Sequence, residues 1–384
     1  VRLTQITHHD LDGYGASTVA AACAEVDRVI HVPRYSDVGP IFDEEVKRLT
    51  KAAAAETLLM TDLGLEEQTI AGLKRFAAMN RKREGEKHRL VVLDHHASSA
   101  DQLGRLGLEP QPVADRAGLF QSDFGDPEIT LLIDENSCAT AMTMAHQALF
   151  ATHEPERAED LAAMITAVDA LDLWRKESPA FPGGTALDEI FWDNATNLIP
   201  PGHPWHDRFV SALLLAAGAR LREGASPAEL ERDAVGIRTR IVDELLADAP
   251  DDDSRMTTRS RLARALARSD TLFRPLKDGT LLSFGLDSGM FQRVSDRIME
   301  AGRTKRVVNV QRVGTLSFRS VDGTALDGAR LFRGGGHRDA AGGRLQSGSA
   351  FSLADAIAQV EPVLNPEKPA GSDSPFAALK NWKG

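Results

Sequence analysis

Short apolar runs, separated by Ala-rich stretches of helical character, recur through the first half of the chain and constrain its fold more than any other feature. They lie at residues 2–7, 28–32, 57–61, 90–93 and 129–133. Strand-length runs alternating with helical patterns are the rhythm of a parallel α/β sheet. Three of the runs stop abruptly at acidic or histidine-bearing segments. Thr7 precedes His8-His9-Asp10-Leu11-Asp12-Gly13, Thr61 precedes Asp62, and Leu93 precedes Asp94-His95-His96. Ligands of open α/β sheets bind outside the carboxyl ends of the strands, so these segments are expected to converge.

At 384 residues the chain exceeds the roughly 250–300 that one core fills efficiently, and two domains are expected. A helical block runs from about residue 206 to 249. Within it Ser226-Pro227-Ala228-Glu229 reads as an N-cap, a Pro at the first helical position and a capping-box Glu. The run from Pro250 to Ser254 reads as an exposed break. Beyond it a strand is expected at 280–286, a helix at 290–301 and two strands around Val313-Gly314, followed by glycine-rich segments at 334–336 and 342–343. The expected class is α/β: a parallel-sheet metal-binding domain over 1–200, a helical connector over 201–269, a smaller α/β substrate-binding domain over 270–363 and a mobile tail over 364–384. The active site is expected in the cleft between the domains.

Composition narrows the partners. Hydrophobic residues at 42% and charged residues at 26% describe a globular protein. The net charge of -11 opposes adhesion to long duplex nucleic acid, where neutralising phosphates supplies most of the affinity, but leaves a small phosphorylated substrate acceptable. Two cysteines, Cys23 and Cys138, are too few for a disulfide framework or a thiolate metal cluster, and a cytoplasmic location is expected. The first residues lack a basic segment followed by an apolar run, and no stretch of about 18 apolar residues occurs, so neither a signal peptide nor a membrane span is expected.

Alternation along an extended chain would point His8, Asp10 and Asp12 to one side, with Gly13 and Gly15 letting the backbone turn into a helix over 16–24. An Asp ahead of a helix also serves as an N-cap, so this segment alone leaves both roles open. Asp94, His95 and His96 at the mouth of a buried strand would be costly if unpaired. Asp62 adds a carboxylate at another strand end, and Asp169 or Asp172 adds one from the segment 162–174. The set is about what two octahedral divalent cations need once water and substrate oxygens are counted. Carboxylate and imidazole ligands without thiolates favour Mn²⁺ or Mg²⁺, with Co²⁺ or Zn²⁺ able to substitute. Two such ions roughly 3.5–4 Å apart serve in-line displacement at phosphorus.

These motifs resemble the DHH phosphoesterase superfamily, whose name reflects Asp94-His95-His96, together with its associated C-terminal domain. The latter resemblance rests on Gly334-Gly335-Gly336-His337-Arg338-Asp339-Ala340-Ala341-Gly342, preceded by Ser317-Phe318-Arg319-Ser320. It covers roughly residues 3–175 and 270–347. It implies a first motif at Asp10, Asp12 and Gly13, a second at Asp62, a third at Asp94, His95 and His96, and a fourth at Asp169 or Asp172, with Asp169 slightly better placed before Trp174-Arg175. It also implies two Mn²⁺ or Mg²⁺ ions bridged by Asp62. Many relatives carry the first-motif His four residues before the first Asp, where this chain has Ile6; here His8 stands two before Asp10, as in a subset that includes some short-RNA-degrading enzymes. By the same resemblance Arg319, Gly334, Gly335, Gly336 and His337 would hold the phosphates and terminal nucleotide of the substrate.

Backbone N–H groups of a glycine-rich turn approach phosphate closely, and Arg330, Arg333, Arg338 and Arg344 surround Gly334, Gly335 and Gly336 with positive charge. Ser137-Cys138-Ala139-Thr140, opening a helix, offers further N–H groups to an anion or simply caps that helix. The expected activity is hydrolysis of very short oligoribonucleotides or dinucleotides from the 3′ end to nucleoside monophosphates. Alternatives are removal of phosphate from 3′-phosphoadenosine 5′-phosphate, cleavage of cyclic dinucleotides, and hydrolysis of pyrophosphate or polyphosphate. A nucleotide-binding module without turnover fits less well. A homodimer is compatible with all of these.

Overall fold

The computed structural model describes residues 2–155, 157–195, 198–247, 249–250 and 252–366. The chain divides into two compact units, Val1–Asp251 and Asp252–Gly384.

The first unit opens with β1 (Arg2–His8), α1 (Leu11–Cys23), β2 (Val26–Val32), α2 (Tyr35–Lys51), β3 (Glu56–Thr61), α3 (Glu67–Lys82), β4 (Arg89–Asp94) and α4 (Ala97–Arg105). Three more strands follow, β5 (Gln111–Pro112), β6 (Leu119–Ser122) and β7 (Ile129–Asp134). The seven strands form one sheet in the order β2-β1-β3-β4-β7-β6-β5. Strands β2, β1, β3, β4 and β7 are parallel. β6 and β5 instead run antiparallel at one edge, so the sheet is mixed. Only residues 123–128 link β6 to β7, which is enough for a hairpin and too short for a parallel crossover. β3 is buried at every position and β4 at all but its first, because helices cover both faces. That is why these strands read as unbroken apolar runs and not as alternating ones.

The unit continues with α5 (Ala139–Ala145), α6 (Ala158–Asp172), α7 (Phe181–Asn194), α8 (Trp205–Arg222) and α9 (Pro227–Ala247). Helix α1 packs on α5, α6 and α8, while α2 packs on α3. The capping box at the start of α9 forms: the Glu229 carboxylate accepts from the Ser226 N–H at 2.8 Å. The segment 201–269 is largely helical, and the division between units falls inside it. α8 and α9 belong to the first unit and α10 (Thr258–Ala267) to the second. Of the break at 250–254, Asp251 lies outside the described residues.

The second unit holds β8 (Phe273–Pro275), β9 (Leu281–Phe284), α11 (Ser288–Glu300), β10 (Arg306–Val310), β11 (Thr315–Ser320), α12 (Ala325–Leu331), β12 (Gly335–Gly336), β13 (Ala340–Arg344) and α13 (Leu353–Leu364). Its sheet runs β12-β13-β11-β10-β9-β8, with β9 and β10 parallel around the α11 crossover and the other pairs antiparallel. Leu282, Val308, Leu316, Phe318, Phe332 and Val360 centre its core. The expected mobile tail begins at the last residue of α13, and from residue 367 it lies outside the described residues. Among the described residues no helix is long and apolar enough to cross a membrane.

Candidate active site

Strand register builds the first half of the site. Thr7 of β1 pairs with Thr61 of β3, and Thr61 pairs with Leu93 of β4. The next residue on each chain, His8, Asp62 and Asp94, therefore stands at one level on the carboxyl edge of the sheet. Strand order also reverses here: the chain passes from β1 outward to β2 and returns to β3 on the other side. Such a switch point leaves a crevice between the outgoing connections. Thr61 donates to Thr7 at 2.8 Å, and the Asp62 N–H reaches the Leu93 carbonyl at 3.2 Å. Asp62 takes φ 56°, left-handed backbone that is uncommon outside glycine and that costs energy where it is held.

The arrangement around Asp10 and Asp12 differs from simple strand alternation. β1 ends at His8 and α1 begins at Leu11, so Asp10 caps the helix, accepting from the Gly13 N–H at 3.0 Å, and Asp12 lies in the first turn. Gly13 and Gly15 are helical residues of α1, not turn residues, and it is close approach that demands them. A Cβ on Gly13 would lie 2.1 Å from the His8 carbonyl oxygen, and one on Gly15 would lie 2.2 Å from Thr140 Oγ1.

The N-terminus of α5 already has its anion. Asp12 accepts from the Ala139 N–H at 2.7 Å and the Thr140 N–H at 2.8 Å, and Asp169 accepts from the Cys138 N–H at 2.9 Å. These N–H groups, for which anion binding and capping both stood open, are taken up by the chain's own carboxylates, and they hold buried Asp12 in place.

Imidazoles complete the cluster. His95 Nε2 lies 3.2 Å from Asp62 and 3.7 Å from Asp12, and its Nδ1 lies 3.6 Å from Asp172. His8 Nδ1 lies 2.5 Å from Asp10 and 4.0 Å from Asp62. Among the described residues, three triads of this cluster have ligand atoms all within 4.8 Å of one another: His8, Asp10 and Asp62; Asp62, His95 and His96; and Asp12, His95 and Asp172. Asp169 stands outside them, paired with Arg175 at 2.5 Å, so of the two fourth-motif candidates it is Asp172 that joins the cluster.

Asp94 has a different task. It is fully buried and accepts from His96 Nδ1 at 2.7 Å and from the Ser99 hydroxyl. Ser99 Oγ in turn accepts from the Leu65 N–H at 2.8 Å, tying α4 to the loop after β3. His96 Nε2 meets the Tyr35 hydroxyl at 3.1 Å, and the Tyr35 ring stacks on His8 with centroids 5.1 Å apart. Sequence reasoning passed over Ser99 and Tyr35. Tyr35 is one of only two tyrosines, and its place directly after β2 was the available signal.

Repulsion within the cluster shows in its acidities. Burial, then the charges of Asp10 and Asp12, push Asp62 well above the ordinary carboxyl range. Burial, then Asp12 and Asp10, raise Asp172 to about 8. Burial also works against ionisation of Asp10, but the hydrogen bond and charge of His8 outweigh it and bring that carboxyl down to about 2. Burial disfavours charge on His96, yet the hydrogen bond and charge of Asp94 prevail and raise its pKa.

The second unit carries the other expected residues. Arg319 lies on β11, its guanidinium donating to the Phe318 carbonyl at 2.9 Å and standing over the Phe291 ring. The glycine triplet is not a free turn. Gly335 and Gly336 form edge strand β12, paired with Gly342 and Ala341, and the bend falls beyond it, where the His337 N–H donates to the Ala340 carbonyl at 2.8 Å. His337, Arg330, Arg333, Arg338 and Arg344 are exposed.

No family model matches the chain, and neither does any curated protein. It does resemble a solved structure of an uncharacterized protein from Helicobacter pylori G27. That protein is 17% identical, and the alignment covers 95% of this chain and 99% of the other at a TM-score of 0.68. At that identity the likeness concerns the fold alone. A pGpG-specific phosphodiesterase from Vibrio cholerae aligns over 94% of this chain and 98% of its own at 12% identity, but its TM-score of 0.26 supports no conclusion.

The residues fit divalent cations. Asp62 Oδ2 is a buried carboxylate oxygen without a hydrogen-bond partner, facing His8 at 4.0 Å. Such an atom is costly unless a positive charge meets it. Asp10, Asp12, Asp62 and Asp172 carry four negative charges when ionised, which two divalent ions would balance. Donors of this kind, oxygen with imidazole, suit Mn²⁺ or Mg²⁺.

Proposed function

We propose that this protein is a divalent-metal-dependent phosphoesterase, and that its substrates are very short oligoribonucleotides or dinucleotides cut from the 3′ end to nucleoside monophosphates. The observation that carries the reading is the gathering of four carboxylates and three imidazoles into three overlapping triads, two of which share Asp62, at the switch point of the sheet. His8, Asp10, Asp12, Asp62, His95 and Asp172 would hold two Mn²⁺ ions, or Mg²⁺ or Co²⁺ in their place. Bound there, the ions would supply Lewis-acid polarisation of the phosphate and activation of a water.

The chain's own groups supply position and protons. Asp94 keeps the proton of His96 on Nδ1, and Tyr35 meets Nε2, so the ring is held from both sides. Its raised pKa suits His96 to donate a proton to the departing oxygen. Arg319, Gly334, Gly335, Gly336 and His337 belong to the same proposal as the phosphate-binding group of the second unit. The net charge of -11 favours small substrates over long duplexes. Cys23 and Cys138 are buried and unbridged, in keeping with action in the cytoplasm.

Incubation with Mn²⁺ and end-labelled di- and pentanucleotides tests the reading. Cation-dependent release of mononucleotides, abolished by chelation, is the expected result. Bound cation without hydrolysis of any phosphoester would overturn it.

A further inference from the structure

Trp192, near the end of α7, is 44% exposed although it is large and apolar. It acts on Asp188, one turn earlier on the same helix, lowering that carboxyl's pKa against the rise imposed by burial. Its edge meets His9 with centroids 6.1 Å apart and planes at 80°, and Phe191 backs it at 5.0 Å. His9 sits between His8 and Asp10, two members of the carboxylate cluster. His9 is itself fixed, for its Nδ1 meets the Tyr14 hydroxyl at 3.2 Å, and that hydroxyl meets buried His206 at 2.7 Å. Asp188 is within electrostatic reach of Asp10, whose charge adds to burial in raising its pKa. The indole therefore stands beside the cluster, packed on His9 and Phe191, with apolar surface left open to solvent.

An occupant of that surface has to be flat and uncharged, because Asp10 and Asp188 repel a further phosphate, and it has to be joined to the phosphoester held by the neighbouring cluster. A nucleobase meets both demands, and any base offers a π-face to an indole. Resting on the phosphoesterase reading, we propose that Trp192, braced by His9 and Asp188, is a nucleobase subsite of the first unit. The preferred substrate carries a base close to the scissile phosphate, and pyrophosphate or polyphosphate lacks the group this subsite recognises. Trp174 is a second exposed indole, at 63%, two residues beyond Asp172, but the Lys176 ammonium lies over its ring at 4.6 Å and Phe181 packs against it. It serves as the comparison.

The test is binding of adenosine 5′-monophosphate and of ribose 5-phosphate to the full chain with Mn²⁺, by calorimetry, in wild type, Trp192→Ala, Trp192→Phe and Trp174→Ala. The wild type should prefer the base-bearing ligand. Trp192→Ala should lose about tenfold of that preference, Trp192→Phe should keep most of it, and Trp174→Ala should keep all of it. Equal preference in wild type and Trp192→Ala, or loss in Trp174→Ala alone, would overturn the inference. Because binding needs no turnover, failure of the phosphoesterase reading would appear separately, as absent hydrolysis of dinucleotides.

Discussion

Two groups of histidine and aspartate in the first unit meet the same spacing criterion for a metal, and they differ in nearly everything else. One is the set of three overlapping triads formed by His8, Asp10, Asp12, Asp62, His95, His96 and Asp172; the other is the single triad His31, His206 and Asp207. The second group has one carboxylate, and although His31 Nδ1 is, like Asp62 Oδ2, buried without a hydrogen-bond partner, the group's other ring nitrogens are engaged. His31 Nε2 meets Asp207 at 2.9 Å, while His206 meets the Ile199 carbonyl and the Tyr14 hydroxyl, each at 2.7 Å. Tyr14 also lies flat on His31, with centroids 3.6 Å apart. The first group gathers four carboxylates and leaves a buried oxygen of Asp62 without a partner. Proximity of ligand types is thus a weak sign of a cation site, and a surplus of carboxylates is a stronger one.

The sharpest way to break this contrast is to compare Asp62→Asn with His206→Gln. At a Mn²⁺ concentration of about 100 times its Kd, the wild type should gain about 2.7 kcal/mol, read as a rise of several degrees in Tm. Asp62→Asn should lose that gain together with hydrolysis. His206→Gln should melt earlier yet keep the full Mn²⁺ response; loss of the response would show that the second group is the cation site.

Tyr35→Phe removes the hydroxyl from His96 and leaves the ring on His8, so hydrolysis should fall by roughly 10–100-fold, the usual cost of losing a group that orients a site residue. Unchanged activity would remove Tyr35 from the machinery. Gly15→Ala forces a methyl toward Thr140, on the helix whose N-terminus holds Asp12. Overpacking of this kind should cost about 1–3 kcal/mol in urea denaturation, with Mn²⁺ affinity falling alongside.

The smallest effect is on pH, and here Asp172 of the first group and Asp207 of the second should differ in sign. In the metal-free protein Asp172 titrates near 8 instead of near 3.8. Its contribution to stability is therefore fully present below about 4 and is lost as pH rises through 8. Asp207 is opposite: burial works against its ionisation, but the hydrogen bond and charge of His31 lower its pKa. That contribution is present above the ordinary carboxyl range and is lost on acidification. Melting temperatures of metal-free protein should fall from pH 5 to 8, and Asp172→Asn should flatten that slope while sparing the acid limb, which Asp207→Asn should change instead.

Much of the site could be read along the chain because strand ends are local events. Leu90 to Leu93 are apolar since both faces of β4 are covered, and the change to Asp94-His95-His96 marks where the strand meets its crevice. What local patterning does not record is which partner each group takes, whether that partner is near in sequence, as Ser99 is to Asp94, or far, as Asp62 is to His95. The division of labour between Asp94 and His95 comes from Ser99 and Asp62, and the choice between Asp169 and Asp172 comes from Arg175 and Cys138 on one side and His95 on the other. Gly13 and Gly15 looked like turn residues because glycine is usually needed for conformation; here the reason is contact with His8 and Thr140.

By itself the sequence determined a largely parallel α/β architecture and the strand ends that carry acid and imidazole, because periodicity and burial of single strands are written in neighbouring residues. Only the tertiary structure decided which of those groups gather in the crevice and which are consumed by hydrogen bonds elsewhere. That outcome depends on register, as between Thr7, Thr61 and Leu93, and on helix ends brought from more than a hundred residues away, as Ala139 and Thr140 are brought to Asp12. The free energy of a buried charge is set by everything around it, and no local pattern along the chain records that surrounding.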